Sequence, residues 1–194
     1  MIVATTDGGA TWTAEPAPAG IDLAGVSCPA VADCTAVGAT ATGPAIVSTT
    51  DGGAVWAPQA PPAGTYALGS VSCPSVTTCT AVGESVAGGQ GVVALSGVVV
   101  ATTDGGATWV AQTLPSDTLG VGSVSCSSSA DCTAVGLTRL GVGQILASDD
   151  GGATWIVQVS PTDLIVLYGV SCGPGGCVTV GTGGSLRGVS ILRN

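Results

Sequence analysis

One octapeptide constrains this chain more than any other feature. T-T-D-G-G-A-T-W stands at residues 5–12 and returns as TTDGGAVW at 49–56, TTDGGATW at 102–109 and SDDGGATW at 148–155. The four aspartates, Asp7, Asp51, Asp104 and Asp150, are therefore 44, 53 and 46 residues apart. A second block keeps the same rhythm: GVSCPAVADCTAVG from Gly25, GSVSCPSVTTCTAVG from Gly69, GSVSCSSSADCTAVG from Gly122 and GVSCGPGGCVTVG from Gly169. Two blocks in register, four times over, identify one structural unit written repeatedly along the chain.

Each unit reads as four short strands. Strand A ends in V-S-C, strand B is the C-T-A-V-G run, strand C is the I-V-x-T-T type of run, and strand D opens at the Trp. Gly, Pro and Ser clusters separate them, and nothing carries the 3.6-residue period of an amphipathic helix. The class is all-β. Four-stranded units of about 45 residues predict a β-propeller with antiparallel blades. The 194 residues are read as a single domain of about four blades: 19–62, 63–115, 116–162, and a blade shared by the two ends, 1–18 with 163–194. Strand counting gives four A, four B, five C and four D, so closing that ring leaves one C strand over. Two chains completing a larger ring as a homodimer, or an excerpt of a longer propeller, are the other readings. The longest interval holds a Gly-rich stretch at 88–97, read as a longer B-to-C loop or an added hairpin.

Asp followed by Gly-Gly suits a tight turn, because Asp accepts from nearby backbone amides and Gly takes positive φ. The Trp after it offers a large apolar surface to bury. Asp7, Asp51, Asp104 and Asp150 with Trp12, Trp56, Trp109 and Trp155 are therefore assigned a folding role. The run resembles the Asp box, S/T-x-D-x-G-x-T-W, of sialidase-like (BNR-repeat) propellers, and Val55 in place of Thr is its one departure. It is also similar to the repeat of photosystem assembly factors of the BNR class. The resemblance does not extend to a sialidase active site. That site needs three Arg, a Tyr–Glu pair and an acid, whereas here only Arg139 and Arg187 fall on the right side and no R-I-P type run occurs.

The eight cysteines fall in close pairs: Cys28 with Cys34, Cys73 with Cys79, Cys126 with Cys132, and Cys172 with Cys177. Each pair straddles an A-to-B hairpin, within reach of a disulfide. Thiolate metal binding is disfavoured, since C-x-x-C is absent and the pairs lie on different blades. Disulfides point to an extracellular, periplasmic or cell-surface protein. No leader precedes the strand beginning at Ile2, so the chain reads as a mature form or an excerpt.

Composition narrows the chemistry. There is no His and no Lys; three Arg face 12 acids, for a net charge of −9. Nucleic-acid binding is excluded for want of clustered cations, and so is catalysis by Ser-His-Asp or Cys-His within the chain. Mean hydropathy is +0.60, yet no apolar run approaches the roughly 20 residues that span a bilayer, so membrane insertion is not expected.

Propeller connectivity sorts the loops onto two faces. The Asp turns, the disulfide hairpins, Asp33 and Asp131 share one. The other holds the D-to-A loops with Asp22, Tyr66, Asp117 and Asp163, and the B-to-C loops with Glu84, Arg139 and Arg187. Asp22, Asp117 and Asp163 are candidates for a Ca²⁺ site or for paired-carboxylate chemistry. Tyr168 joins the catalytic candidates because it fills a strand A slot held elsewhere by Ala24, Gly69 and Gly122. Tyr66, Glu84, Arg139 and Arg187 are ligand-binding candidates. The favoured reading is a secreted, non-catalytic binding or scaffold module whose partner is a protein, glycan or small molecule. The alternative is a hydrolase at the channel mouth: a glycosidase, or a Ca²⁺-assisted enzyme on esters or phosphotriesters.

Overall fold

The computed structural model describes residues 1–87, 94–161, 163–184 and 188–193. Among them there is no helix, and hence none that could cross a membrane. A hairpin of β1 (Ile2–Ala4) and β2 (Thr13–Glu15) comes first, followed by three complete four-stranded antiparallel sheets. These are β3 (Ile21–Ser27), β4 (Cys34–Thr40), β5 (Gly43–Thr49) and β6 (Ala57–Gln59); β7 (Thr65–Ser72), β8 (Cys79–Ala87), β9 (Ala94–Thr102) and β10 (Val110–Ala111); and β11 (Thr118–Cys126), β12 (Cys132–Thr138), β13 (Gly143–Ser148) and β14 (Ile156–Val157). A three-stranded sheet of β15 (Leu164–Gly173), β16 (Gly176–Gly183) and β17 (Gly188–Arg193) ends the order. Each four-stranded sheet is an A-B-C-D meander, as a propeller blade requires. The strands β1–β2 and β15–β17 stay separate sheets, so among the described residues no backbone pairing joins them into one shared blade.

The elements follow from local sequence. B and C strands lie between neighbouring blades, so both their faces are covered and they read as continuous small apolar runs: Val37, Ile46, Val47, Val82, Val99 and Val135 are fully buried. The D strands are only two or three residues long and begin one residue after the Trp, not at it. In the 79–102 segment β8 and β9 pair as far as Ala87 and Ala94, so the described part of the Gly-rich insertion lengthens the B-to-C hairpin.

Every A strand carries a β-bulge at the same repeat position. The register slips between Leu23 and Gly25, Leu68 and Ser70, Val121 and Ser123, and Leu167 and Gly169. The glycine closing each C-T-A-V-G or C-V-T-V-G run, Gly38, Gly83, Gly136 or Gly181, lies under it. A Cβ there would strike the carbonyl of Asp22, Ala67, Gly120 or Val166, so the backbone of strand A occupies the space a side chain would need.

The core divides into three clusters, one per blade-to-blade interface. Val37 and Ile46 of one blade meet Leu68, Val71 and Trp109 of the next. Val82 and Val99 then meet Val121, Val124 and Trp155, and Val135 and Ile145 meet Leu164 and Leu167. The A strands β3, β7, β11 and β15 pack side by side and form the inner wall. A serine ladder stitches them together. The amides of Cys73, Cys126 and Cys172 each donate, at 2.9 Å, to the Oγ of Ser27, Ser72 and Ser125 on the preceding blade.

Candidate functional site

The most conspicuous charged groups, the repeated aspartates, are consumed by their own turns. Thr5 Oγ1 donates to Asp7 Oδ1 at 2.7 Å and accepts from Gly9 N–H at 2.9 Å. Thr11 then donates twice, N–H to Oδ1 at 3.0 Å and hydroxyl to Oδ2 at 2.6 Å. The same network recurs around Asp104 and Asp150. Gly8 and Gly9, with their counterparts, take the positive φ that lets the chain wrap the carboxylate. These donors stabilise the ionised form. The Thr108 and Thr154 hydroxyls, followed by the amides of the same residues, pull Asp104 and Asp150 down to about 2. Thr11 likewise holds Asp7 well below the usual carboxylate range. Val55 has no hydroxyl; Asp51 is still lowered, by the Thr49 hydroxyl first and the Val55 amide second. A carboxylate saturated this way is a poor general base or nucleophile.

Four disulfides are present, Cys28–Cys34, Cys73–Cys79, Cys126–Cys132 and Cys172–Cys177, each clamping an A-to-B hairpin with Cα atoms 4.0–4.1 Å apart. So short a loop gains about 2 kcal/mol per bridge in the loop-entropy model. Four bridges with no free cysteine fit an oxidising environment. The amides of Gly52, Gly105 and Gly151 donate to the carbonyls of Ala32, Thr77 and Ala130 in these hairpins. The Asp turns and disulfide hairpins thus share one rim, and Asp33 and Asp131 lie in the hairpins there.

The opposite rim holds the remaining candidates. Asp117 and Asp163 stand in the turns that lead into β11 and β15, where Gly64 leads into β7. Their carbonyls accept from Arg139 N–H at 2.9 Å and Gly184 N–H at 2.7 Å, which fastens the D-to-A turns to the B-to-C loops. Arg139 also places its Nε on the Ser116 carbonyl at 3.1 Å, so part of its donor set serves that loop. Asp22 and Glu84 are exposed on β3 and β8. Among the described residues no group of three or more Cys, Asp or Glu is placed to hold a metal ion. Asp22, Asp117 and Asp163 sit at the entries of three different blades. Arg187 lies outside the described residues.

The two tyrosines are set differently. Tyr168 is the extra residue of the bulge in β15, and Tyr66 is the extra residue of a second register shift in β7, between Thr65 and Ala67. A bulge re-aims the side chain it carries. Both phenols are exposed, Tyr168 by 65%, so Tyr168 does not fill a gap in the core. Alignment of repeats singles out Tyr168 as odd; the pairing register supplies the reason.

Sequence patterns did not reveal one further feature, a groove of about 630 Å³ between β1–β2 and the first complete blade. Ile2, Trp12, Leu23, Val26, Val31 and Trp56 line it. It lies beside β1–β2, which the repeat aligns with strands C and D of a blade.

No family model and no curated protein matches the chain. Among solved structures it is similar to YCF48 bound to D1 peptide, at 22% identity and a TM-score of 0.59, over 84% of this chain and 49% of that one. It is also similar to the GH74 enzyme of Niastella koreensis, at 14% identity and a TM-score of 0.51, over 89% of this chain and 30% of that one. The chain spans about half of the first and under a third of the second. At these identities the likeness establishes a propeller-like fold.

Proposed function

We propose that this chain is a non-catalytic Asp-box propeller module of the extracellular, periplasmic or cell-surface space that binds a protein or peptide partner. The observation that carries this reading is the pair of exposed tyrosines, Tyr66 and Tyr168, projected by bulges from the inner strands. Tyrosine is enriched at recognition surfaces because it brings large, stiff, amphipathic area at low entropic cost. Two observations support it: the Asp-turn carboxylates saturated by donors of their own turns, and a similar fold in the solved structure of YCF48 bound to D1 peptide.

Selection of a displayed peptide library on the immobilised, oxidised chain tests the reading. Enriched peptides are expected to lose at least tenfold in affinity on Tyr66→Ala or Tyr168→Ala, with the thermal melt unchanged. Failure to enrich, or binding indifferent to both tyrosines, overturns it. Turnover of an aryl glycoside, or of a phosphotriester with Ca²⁺, that is abolished by Asp117→Asn or Asp163→Asn would establish the hydrolase alternative instead.

A further inference from the structure

We infer that the segment held by the inner wall is cationic: an arginine-bearing peptide whose guanidinium groups lie over Tyr66 and Tyr168 and are drawn there by the carboxylates at the entry of the A strands. The inference rests on the partner-binding reading above and names the chemistry of the partner.

The geometry comes from paired bulges. Besides the slip shared by every A strand, β7, β11 and β15 slip once more, between Thr65 and Ala67, Thr118 and Gly120, and Leu164 and Val166. The strands thereby gain a three-residue rhythm. In β7, Thr65, Leu68 and Val71 are buried while Tyr66 and Gly69 are exposed; in β15, Leu164 and Leu167 are buried while Ile165 and Tyr168 are exposed. Across the three strands this makes two rows on the inner wall, Tyr66, Leu119 and Ile165 in one and Gly69, Gly122 and Tyr168 in the other. Both β7 and β11 have A strands packed on either side. The exposure of Tyr66, Gly69 and Gly122 therefore belongs to the wall itself and not to a blade face without a neighbour. A Cβ on Gly122 would meet nothing within 4 Å, and one on Gly69 only the Gly122 carbonyl at 4.0 Å. That row is thus an open shelf floored by main chain, with Tyr168 standing at its end.

Carboxylates edge this apolar wall. Asp117 and Asp163 precede Leu119 and Ile165 by two residues, about 7 Å along a strand. Glu84 pairs with Ala67, the residue after Tyr66, and Asp22 takes the place of Ala67 in β3. All four acids are exposed, and it is the carbonyls of Asp117 and Asp163, not their carboxylates, that fasten the turns. Arg139 is the one described cation on this rim, and its Nε is given to the Ser116 carbonyl. Arg193 pairs with Cys177, at the opposite rim. An arginine side chain matches both parts of such a surface. Its planar, weakly hydrated guanidinium stacks on a tyrosine face, its aliphatic stem covers Leu119 or Ile165, and its charge answers the acids. A neutral segment would leave the acids unanswered, and an acidic one would be repelled.

Fluorescence anisotropy on the oxidised chain tests this with matched labelled peptides that differ only in carrying Arg, Lys, Gln or Glu. The Arg peptide is expected to bind about tenfold tighter than the Gln peptide, with Lys between them and Glu not bound. Tyr66→Leu or Tyr168→Leu should cost about tenfold in that affinity, while Tyr66→Phe and Tyr168→Phe, which keep the ring face, should stay within about twofold. Asp117→Asn combined with Asp163→Asn should weaken the Arg peptide about fivefold and flatten its salt dependence. Asp33→Asn combined with Asp149→Asn, an equal change of charge at the opposite rim, should do neither, and every variant should keep the parent's thermal melt. A Gln or Glu peptide that binds as tightly as the Arg peptide through the two tyrosines overturns the cationic preference and leaves the binding wall standing. Arg binding indifferent to the tyrosines and to Asp117 and Asp163 also overturns it, as attraction to the net charge of −9 alone. A chain that binds none of these peptides, yet enriches others from the displayed library through the tyrosines, overturns this inference only; one that fails both assays overturns the partner-binding reading with it.

Discussion

The same eight-residue turn sits in four surroundings, and the contrast between its first and its last two copies separates local from tertiary causes. Around Asp7 the network of donors is as complete as around Asp104 and Asp150, with every matching bond within about 0.1 Å. Yet Trp12 is 61% exposed, whereas Trp109 and Trp155 are 7% and 5% exposed. The expectation that every Trp buries its ring therefore fails at Trp12. Trp109 and Trp155 reach back onto the preceding blade, and among the described residues none stands behind Trp12. Gln59 makes the dependence concrete: its Oε1 accepts from Trp109 Nε1 at 2.9 Å while its Nε2 donates to Ser48 Oγ and to the Gly105 carbonyl. A side chain on Gly106 would collide with Gln59. Trp56 is intermediate, with a buried Nε1 that lacks a hydrogen-bond partner. Behind it, in the place of Gln59, stands Glu15 on β2, packed near Gly53.

The comparison is broken most directly at the rings themselves. Trp109→Ala or Trp155→Ala should cost about 3–5 kcal/mol in urea unfolding, the usual loss for a buried Trp, and Trp12→Ala less than about 0.5 kcal/mol. Equal losses at all three would mean that the ring stabilises its own turn and not the blade interface. A smaller effect is expected at Gln59. Removing its side chain strands the Trp109 donor, so Gln59→Ala should cost about 1–3 kcal/mol by the same assay. Gln112→Ala should cost little, since the Gln112 side chain donates only to the Val110 carbonyl two residues back and its backbone bond to Val99 is kept.

The finest test concerns acid. The folded-state pKa of Asp7, Asp104 and Asp150 lies below the unfolded value of about 4, so their contribution is complete above about pH 4 and is lost as pH falls toward about 2. Val55→Thr supplies the missing hydroxyl and should lower the Asp51 midpoint, while Thr108→Val should raise that of Asp104. Carboxyl NMR titration reads both shifts. Unmoved midpoints would show that the backbone amides alone set them.

The Asp turns and the disulfide pairs were legible in the sequence because every partner lies within a few residues: Thr5, Asp7, Gly9 and Thr11 satisfy one another, and Cys28 needs only a hairpin to meet Cys34. The four-stranded blade was legible for the same reason, since its strands are joined by short turns. The position of Tyr168 on a bulge was half legible. Repeat alignment marked it as different, but the slip in register that ejects it depends on the Gly181 strand beside it. The Gln59 link to Trp109 spans 50 residues and two blades, and no local pattern announces it. The exposure of Trp12 belongs to the same class. Sequence alone determined what each unit does within itself, because those contacts close over short loops. Only the tertiary structure decided which units have a neighbour, because burial is a property of two surfaces and a repeat encodes one of them at a time.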